Sequence, residues 1–325
     1  MSRDSDFSHR PVLFEECMQA LEIRRDGIYV DCTAGGGGHS LGILSRLGPN
    51  GTLISLDKDD RALAECERLR SEADSGSNWI LRKTDFSRIG SVLDELEIEQ
   101  IDGALADLGV SSHQLDTLER GFSYGSDGPL DMRMDDKQEL TAAKVVNEYS
   151  SDRLITILRD FGEERFAGRI VGAIEACRKS KRIETTSELA AIILRAMPSK
   201  SRKEDQNPAR RTFQAIRIEV NNELLSVSEL LETLPSRLNV KGRFAVISFH
   251  SLEDRLVKEA FRKLETPCVC PREFPVCICN RKSLGRSITK KPITASPEEI
   301  KINKRSKSAK LRIFERNEEK WITWL

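Results

Sequence analysis

No stretch of this 325-residue chain has the roughly 20 consecutive apolar residues that a membrane-spanning helix needs. Met1 to His9 is polar and lacks the apolar core of a secretory signal, so the expectation is a cytoplasmic protein with no membrane attachment. The phosphate loop G-x-x-x-x-G-K-[ST] is absent, which disfavours a nucleoside triphosphatase. The dinucleotide fingerprint G-x-G-x-x-G is missing too. Counted from Gly35 its sixth place is Ser40, and counted from Gly36 it is Leu41, so a nicotinamide dehydrogenase is disfavoured. There is no internal repeat and no excess of charge, 52 Lys plus Arg balancing 52 Asp plus Glu. With 38% hydrophobic residues the chain has enough apolar surface for a core, and its length allows an α/β domain with an insertion or second domain.

What is present begins with four successive glycines, Gly35 to Gly38, after an apolar segment ending in Asp31. About twenty residues on, Leu53-Ile-Ser-Leu-Asp57 ends a second apolar run in a carboxylate. Glycines let a backbone approach a ligand closely, and an acid closing a second strand suits a ribose diol. Asp31 followed by glycines, without a pyrophosphate cradle, suits an adenosine cofactor with an ammonium group, which describes S-adenosylmethionine. The plainer reading is a glycine-rich turn of any α/β protein.

Periodicity predicts strands over Ile28 to Cys32, Thr52 to Asp57, Trp79 to Thr84, Ile101 to Leu108 and Arg243 to Ser248. Helices alternate with the first four, over Ser40 to Leu47, Arg61 to Ser71 and Ile89 to Leu96, giving a parallel sheet covered on both faces. From Ser111 to Arg211 only helical spacing is seen, with segments at Thr141 to Tyr149, Ser151 to Phe161, Arg165 to Lys179 and Thr186 to Met197, the last capped by Thr186 or Ser187. One helix from Phe213 to Leu234 follows, and two tail strands lie near Ser287 to Lys290 and Ala309 to Glu315. The expected division is a discontinuous sheet domain, 1–112 and 213–325, around an all-helical insertion, 113–212. Ligands of such sheets bind beyond the carboxyl ends of the strands. The loops Thr33 to His39, Asp57 to Asp60, Asp85-Phe86, Asp107 to Gln114 and Ser248 to Ser251 should meet there.

Charge and cysteine are unevenly placed. Arg281 to Arg316 holds twelve Lys or Arg against three Asp or Glu, and further basic groups lie at Arg178 to Arg182 and Lys200 to Arg211. Together they suggest a polyanion partner, whereas one such cluster alone would be ordinary solvated surface. Of eight cysteines, four form Cys268-Val-Cys270 and Cys277-Ile-Cys279. These pairs read either as a zinc knuckle or as free thiols in a tight turn.

Longer strings carry a resemblance. They are His9-Arg-Pro-Val-Leu13, Gly37-Gly-His39, Asp107-Leu-Gly-Val-Ser-Ser112, Arg120-Gly-Phe-Ser123, Asp127-Gly-Pro-Leu-Asp-Met-Arg-Met-Asp135 and Gly162-Glu-Glu-Arg-Phe166. Arg211-Thr-Phe-Gln-Ala-Ile-Arg217, Ile247-Ser-Phe-His-Ser-Leu-Glu-Asp-Arg255 and Arg305-Ser-Lys-Ser-Ala-Lys-Leu-Arg312 complete them. From about residue 9 to 316 the chain resembles the MraW family of ribosomal RNA small-subunit methyltransferases. The resemblance implies a class I (Rossmann-like) S-adenosylmethionine-dependent methyltransferase sheet with a helical, substrate-recognising insertion, acting on N4 of a decoding-centre cytidine of 16S rRNA in the small ribosomal subunit. It further implies cofactor contacts at Gly37, Gly38, His39, Asp57, Phe86, Asp107 and Gln114, with Phe86 against the adenine, and is compatible with a homodimer. The family's tail motif Asn-Pro-Arg-Ala-Arg-Ser is here Asn303-Lys-Arg-Ser-Lys-Ser308, and Glu318 to Leu325, with Trp321 and Trp324, matches no family motif.

Methylation of an exocyclic amine is an in-line displacement that rests on alignment. C5 methylation of cytosine would need a thiolate, and Asp107 to Ser112 contains none. The Asp/Asn-Pro-Pro-Tyr clamp of many amine methyltransferases is retained only in its first position, Asp107. Asp107 is therefore expected near the methyl-transfer centre. His250 either flanks the substrate or is an ordinary buried, hydrogen-bonded histidine. The competing readings are a methyltransferase for another nucleic acid or a small molecule, and a cofactor-binding module of ribosome assembly.

Overall fold

A computed structural model describes residues 11–72, 76–198, 207–271, 273–274 and 278–321. They form two compact units, one taking the chain to Gly109 and again from Leu224, the other spanning Val110–Glu223. None of the described helices is long and apolar enough to cross a membrane.

The first unit is built on a seven-stranded sheet. β1 (Ile28–Asp31), β2 (Thr52–Asp57), β3 (Asn78–Lys83), β4 (Ile101–Asp107) and β5 (Leu238–Ser248) run parallel, while β6 (Lys282–Ser287) and β7 (Lys310–Trp321) add an antiparallel edge. The order is β3-β2-β1-β4-β5-β7-β6, a doubly wound sheet in which the order of strand succession reverses between β1 and β4. Alternate residues of each strand point to opposite faces. Val30, Ile54, Leu56, Ala104, Ala106, Phe244 and Val246 pack on one face beneath α4 (Ile89–Glu95), α11 (Glu223–Thr233) and α12 (Ser251–Glu265). Tyr29, Leu53, Leu105, Ala245 and Ile247 pack on the other beneath α1 (Phe14–Leu21), α2 (Gly38–Leu44) and α3 (Asp60–Glu72). Each fully buried large apolar side chain adds about 1.5–3 kcal/mol. Covering both faces of β1, β2, β4 and β5 is what makes their sequences near-continuous apolar runs.

The second unit is helical: α5 (Ser112–Asp116), α6 (Ala142–Glu148), α7 (Ser151–Asp160), α8 (Ala167–Arg178), α9 (Thr186–Ala196) and α10 (Ala209–Asn221). The strings of the resemblance interlock here. Arg120 Nη2 donates to the carbonyls of Arg133 (2.9 Å) and Met134 (2.8 Å). Buried Asn221 accepts from Met134 N–H (2.8 Å) and donates to the Met132 carbonyl (2.8 Å). Gly121 has φ +67°, and a Cβ there would lie 2.1 Å from the Pro129 carbonyl oxygen, so no other residue fits.

Three expectations need correction. The boundary at 212/213 falls too early, because Phe213, Ala215, Ile216 and Val220 of α10 belong to the helical core. The helix expected over Phe213 to Leu234 is two helices, broken at Asn222, which adopts φ 54° and ends α10. The cap of α9 is Thr185, one residue earlier than read, with Glu188 completing a capping box.

Candidate active site

The loops after β1 to β5 all leave the sheet at its carboxyl edge. At the reversal between β1 and β4, Asp107 N–H donates to Thr33 Oγ1 (2.7 Å), tying the two strand ends together. Asp31, read from the sequence as facing an ammonium, is instead turned inward and fully buried. Its carboxylate accepts from Thr33 N–H (3.1 Å) and Ser40 Oγ–H (2.7 Å), so it braces the glycine loop against α2.

The loop's shape has local causes. Gly37 adopts φ +76°, and a Cβ there would meet Leu69 at 2.7 Å. A Cβ on Gly38 would lie 2.4 Å from Pro11 Cγ. The N-terminal string therefore packs against the glycine turn, and its Val12 carbonyl lies 3.1 Å from His39 Nε2. That support was not foreseen from the sequence, where His9-Arg-Pro-Val-Leu13 was only a motif; His9 and Arg10 lie outside the described residues.

Asp57 ends β2 and also shapes the loop, since Oδ2 accepts from Gly35 N–H (2.8 Å) and Oδ1 from Asp59 N–H (2.9 Å). Each oxygen keeps a further lone pair for a diol. Burial first, then the neighbouring Asp59 and Asp31 charges, push its carboxyl up to about 6 against those two hydrogen bonds. After β3, Asp85 pairs with Lys58 (2.8 Å) and caps a single 3₁₀ turn that begins with half-buried Phe86.

Asp107 ends β4. Its Oδ2 is 3.8 Å from His39 Nδ1, and its Oδ1 is buried without a hydrogen-bond partner among the described residues. Burial first, then the charges of Asp31 and Glu253, push its carboxyl up to about 8. Burial holds His39 down to about 4, so its ring is neutral at pH 7. The Val12 carbonyl can only accept, so Nε2 carries the hydrogen and Nδ1 presents a lone pair toward Asp107. Below about pH 8 the protonated Asp107 can itself donate, and once it is ionised two acceptors face each other, a pair that only an N–H or O–H donor, or a cation, can satisfy.

His250 and Gln114 take capping positions. His250 is the N-cap of α12, its Nδ1 accepting from Glu253 N–H (3.4 Å) and its Nε2 3.1 Å from Glu253 Oε1. Glu253 Oε2 in turn accepts from Phe249 N–H (2.8 Å). Nδ1 is thus spent on the cap, whereas Nε2 is buried with no hydrogen-bond partner among the described residues, so the capping and the substrate-flanking readings both stand. His250→Ala is expected to lower stability by about 1 kcal/mol, as loss of an N-cap does. His250→Asn, which keeps an acceptor, should restore most of that; unchanged single-turnover methylation in both variants once folded would remove His250 from the chemistry, and lost turnover in the stable Asn variant would place it there. Gln114, in the second unit, closes the capping box of α5 with Ser111 (3.1 and 3.2 Å), so its part in cofactor binding rests on the resemblance.

Part of the basic charge is paired within the fold. In the second unit Arg178 donates to the carbonyls of Val146 (2.9 Å) and Tyr149 (2.8 Å), Lys181 pairs with Glu188 (2.5 Å), and Arg182 with Glu148 (2.7 Å). Residues 200–206 of the next cluster lie outside the described residues. In the tail, Arg286 shares Glu315 with Arg243, and Lys310 and Arg312 bind Asp254 (3.1 and 2.6 Å). Burial opposes ionisation of Asp254, yet those two cations keep its carboxyl below the usual range. Lys290, Lys291, Lys301, Lys304 and Lys307 remain exposed, with no acidic partner among the described residues.

The sequence matches the MraW methylase family over residues 6–317. The chain belongs to that family. It is 50% identical over 311 residues to the ribosomal RNA small subunit methyltransferase H of Lachnospira eligens, covering 96% of this chain and 98% of that protein. It is 50% identical over 309 residues to the protein of the same name from Clostridium botulinum strain Kyoto (95% and 98% covered). With that of Clostridioides difficile strain 630 the identity is 48% over 311 residues (96% and 99% covered). As a MraW methylase the protein is an S-adenosylmethionine-dependent methyltransferase. The carboxyl edge of its sheet fits that cofactor: Asp57 has acceptor capacity left for a ribose diol, and the unpartnered Asp107 oxygen suits a donor or a positive charge.

Proposed function

We propose that this protein methylates N4 of a decoding-centre cytidine in 16S rRNA. The observation that carries the chemistry is the raised Asp107 carboxyl, 3.8 Å from neutral His39 at the reversal of the sheet and with one oxygen unpartnered among the described residues. The relatives' activity on small-subunit ribosomal RNA supports the substrate.

Gly37 and Gly38 let the main chain approach the cofactor, Asp57 holds its ribose and Phe86 lies against its adenine. When bound, S-adenosylmethionine supplies a methyl group on a sulfonium, open to in-line displacement. Asp107 accepts a hydrogen bond from the exocyclic amine and so aims its lone pair. As the N–C bond forms the amine becomes acidic. With its carboxyl raised to about 8, the ionised form of Asp107 is the minority at neutral pH but is a strong enough base to receive that proton, and its share grows as pH rises toward 8. His39, neutral and fixed by Val12, holds the acceptor geometry. The target base must leave its stack to reach such a site.

The exposed tail lysines are assigned to RNA phosphates, contacts that position RNA without reading its sequence. Five such contacts to single-stranded RNA give a slope of about −3.5 in log K against log salt. Replacing Lys290, Lys291, Lys301, Lys304 and Lys307 by Ala is expected to flatten the slope by that amount, measured by filter binding from low to moderate salt. An unchanged slope would place the phosphate surface elsewhere. The substrate class is tested by labelled methyl transfer to purified small subunits against free DNA, with incorporation expected only in the subunits.

A further inference from the structure

The described residues between α12 and β6 form no helix or strand. Three large apolar side chains among them are exposed, Val269 by 63%, Phe274 by 42% and Ile278 by 67%. A segment that buries so little needs another source of order, which in small loops is a cross-link or a metal. The cysteines supply the groups. The Sγ atoms of Cys268, Cys270 and Cys279 lie within 4.8 Å of one another, although the last is eleven positions beyond the first. They are not disulfide-bonded. Cys277, the fourth of the pattern, lies outside the described residues.

We infer that Cys268, Cys270 and Cys279 form a structural site for one thiophilic divalent cation, zinc being the chemical fit. The separation of Cys268 Sγ and Cys279 Sγ is 3.8 Å. Metal–sulfur bonds of roughly 2.3 Å in a tetrahedron place neighbouring sulfurs about 3.8 Å apart, so these two already stand at a tetrahedral edge. The backbone is also arranged for sulfur: Cys270 N–H points at Cys268 Sγ (3.4 Å) and Ile278 N–H at Cys270 Sγ (3.4 Å). Thiolate is the ligating form, and main-chain N–H groups aimed at sulfur are compatible with it. Three sulfur donors select zinc over magnesium or calcium. Each thiol gives up its proton to solvent as its sulfur binds the cation, with no redox change, so affinity rises with pH. The bound ion would fasten the segment where it leaves α12 and enters the basic tail. None of the three cysteines belongs to the proposed methyl-transfer site, so the inference stands apart from the proposed function.

The test is titration of the full-length, metal-stripped, reduced protein with cobalt(II), followed by displacement with zinc. One equivalent of cobalt is expected to give thiolate-to-metal charge-transfer and tetrahedral d–d absorption, both abolished by one equivalent of zinc. The signal is expected to vanish in Cys268→Ser and in Cys279→Ser and to persist in Cys177→Ser. If the wild type shows no charge-transfer band at one equivalent, or if the band survives undiminished in the folded Cys268→Ser and Cys279→Ser variants, the inference is overturned. The wild-type titration decides the matter alone should those variants fail to fold.

Discussion

Replacing Asp107 by Asn is expected to slow single-turnover methyl transfer by roughly 10²–10⁴-fold, the range usual for loss of a positioned proton acceptor. The substitution is nearly isosteric, so the sheet persists, but an amide presents one acceptor where the carboxylate has two, and it cannot take a proton at neutral pH. The wild-type rate should also carry the signature of a carboxyl lifted to about 8. Below that value most Asp107 is protonated, and the rate should climb with pH, up to tenfold per unit, before levelling above about 8. The Asn variant should show no such limb. Stability moves the opposite way in the ligand-free protein. Asp107 binds its proton more tightly folded than unfolded, where its value is about 3.9. Its contribution is therefore fully present below pH 4 and is lost as pH rises through about 8. A flat wild-type rate profile with a fully active Asn variant would remove Asp107 from the chemistry.

The second large effect belongs to Asp57. Asp57→Ala is expected to weaken S-adenosylmethionine binding about 100-fold or more, read by calorimetry. Two hydrogen bonds from a diol to a carboxylate are worth about 1.5–3 kcal/mol each, and 1.4 kcal/mol is tenfold in affinity. The substitution also frees Gly35 N–H and Asp59 N–H, loosening the glycine turn. With its carboxyl near 6, Asp57 is mostly ionised at pH 7 and protonates below pH 6. Wild-type affinity is therefore expected to fall as pH drops through 6, a fall absent from the Ala variant. Affinity within threefold of wild type in Asp57→Ala would exclude a ribose contact.

These two acids were legible in the sequence because each closes a run of apolar residues, and a doubly wound sheet sets its ligands at the ends of such runs. The strands read well for the same reason, β2 matching its expected span residue for residue. Asp31 sat in an equivalent place yet turned inward, because Ser40, nine residues on, offered its carboxylate a partner that periodicity does not reveal. The break at Asn222 carried no glycine or proline to announce it. Within the basic clusters the pairings were hidden: Arg182 finds Glu148, and Arg312 finds Asp254, across long stretches of chain. A charge count sees the cations and not their partners. Pro11 and Val12 were visible only as part of a motif, and their packing on Gly38 and His39 needed coordinates.

The proposed activity is tested most directly by incubating the protein with methyl-labelled S-adenosylmethionine and small ribosomal subunits lacking the modification, then digesting the 16S rRNA for nucleoside mass spectrometry. The label is expected in N4-methylcytidine, from a decoding-centre fragment, and is expected to be lost with Asp107→Asn. Label in another nucleoside, or none in subunits that an active relative does methylate, would contradict it.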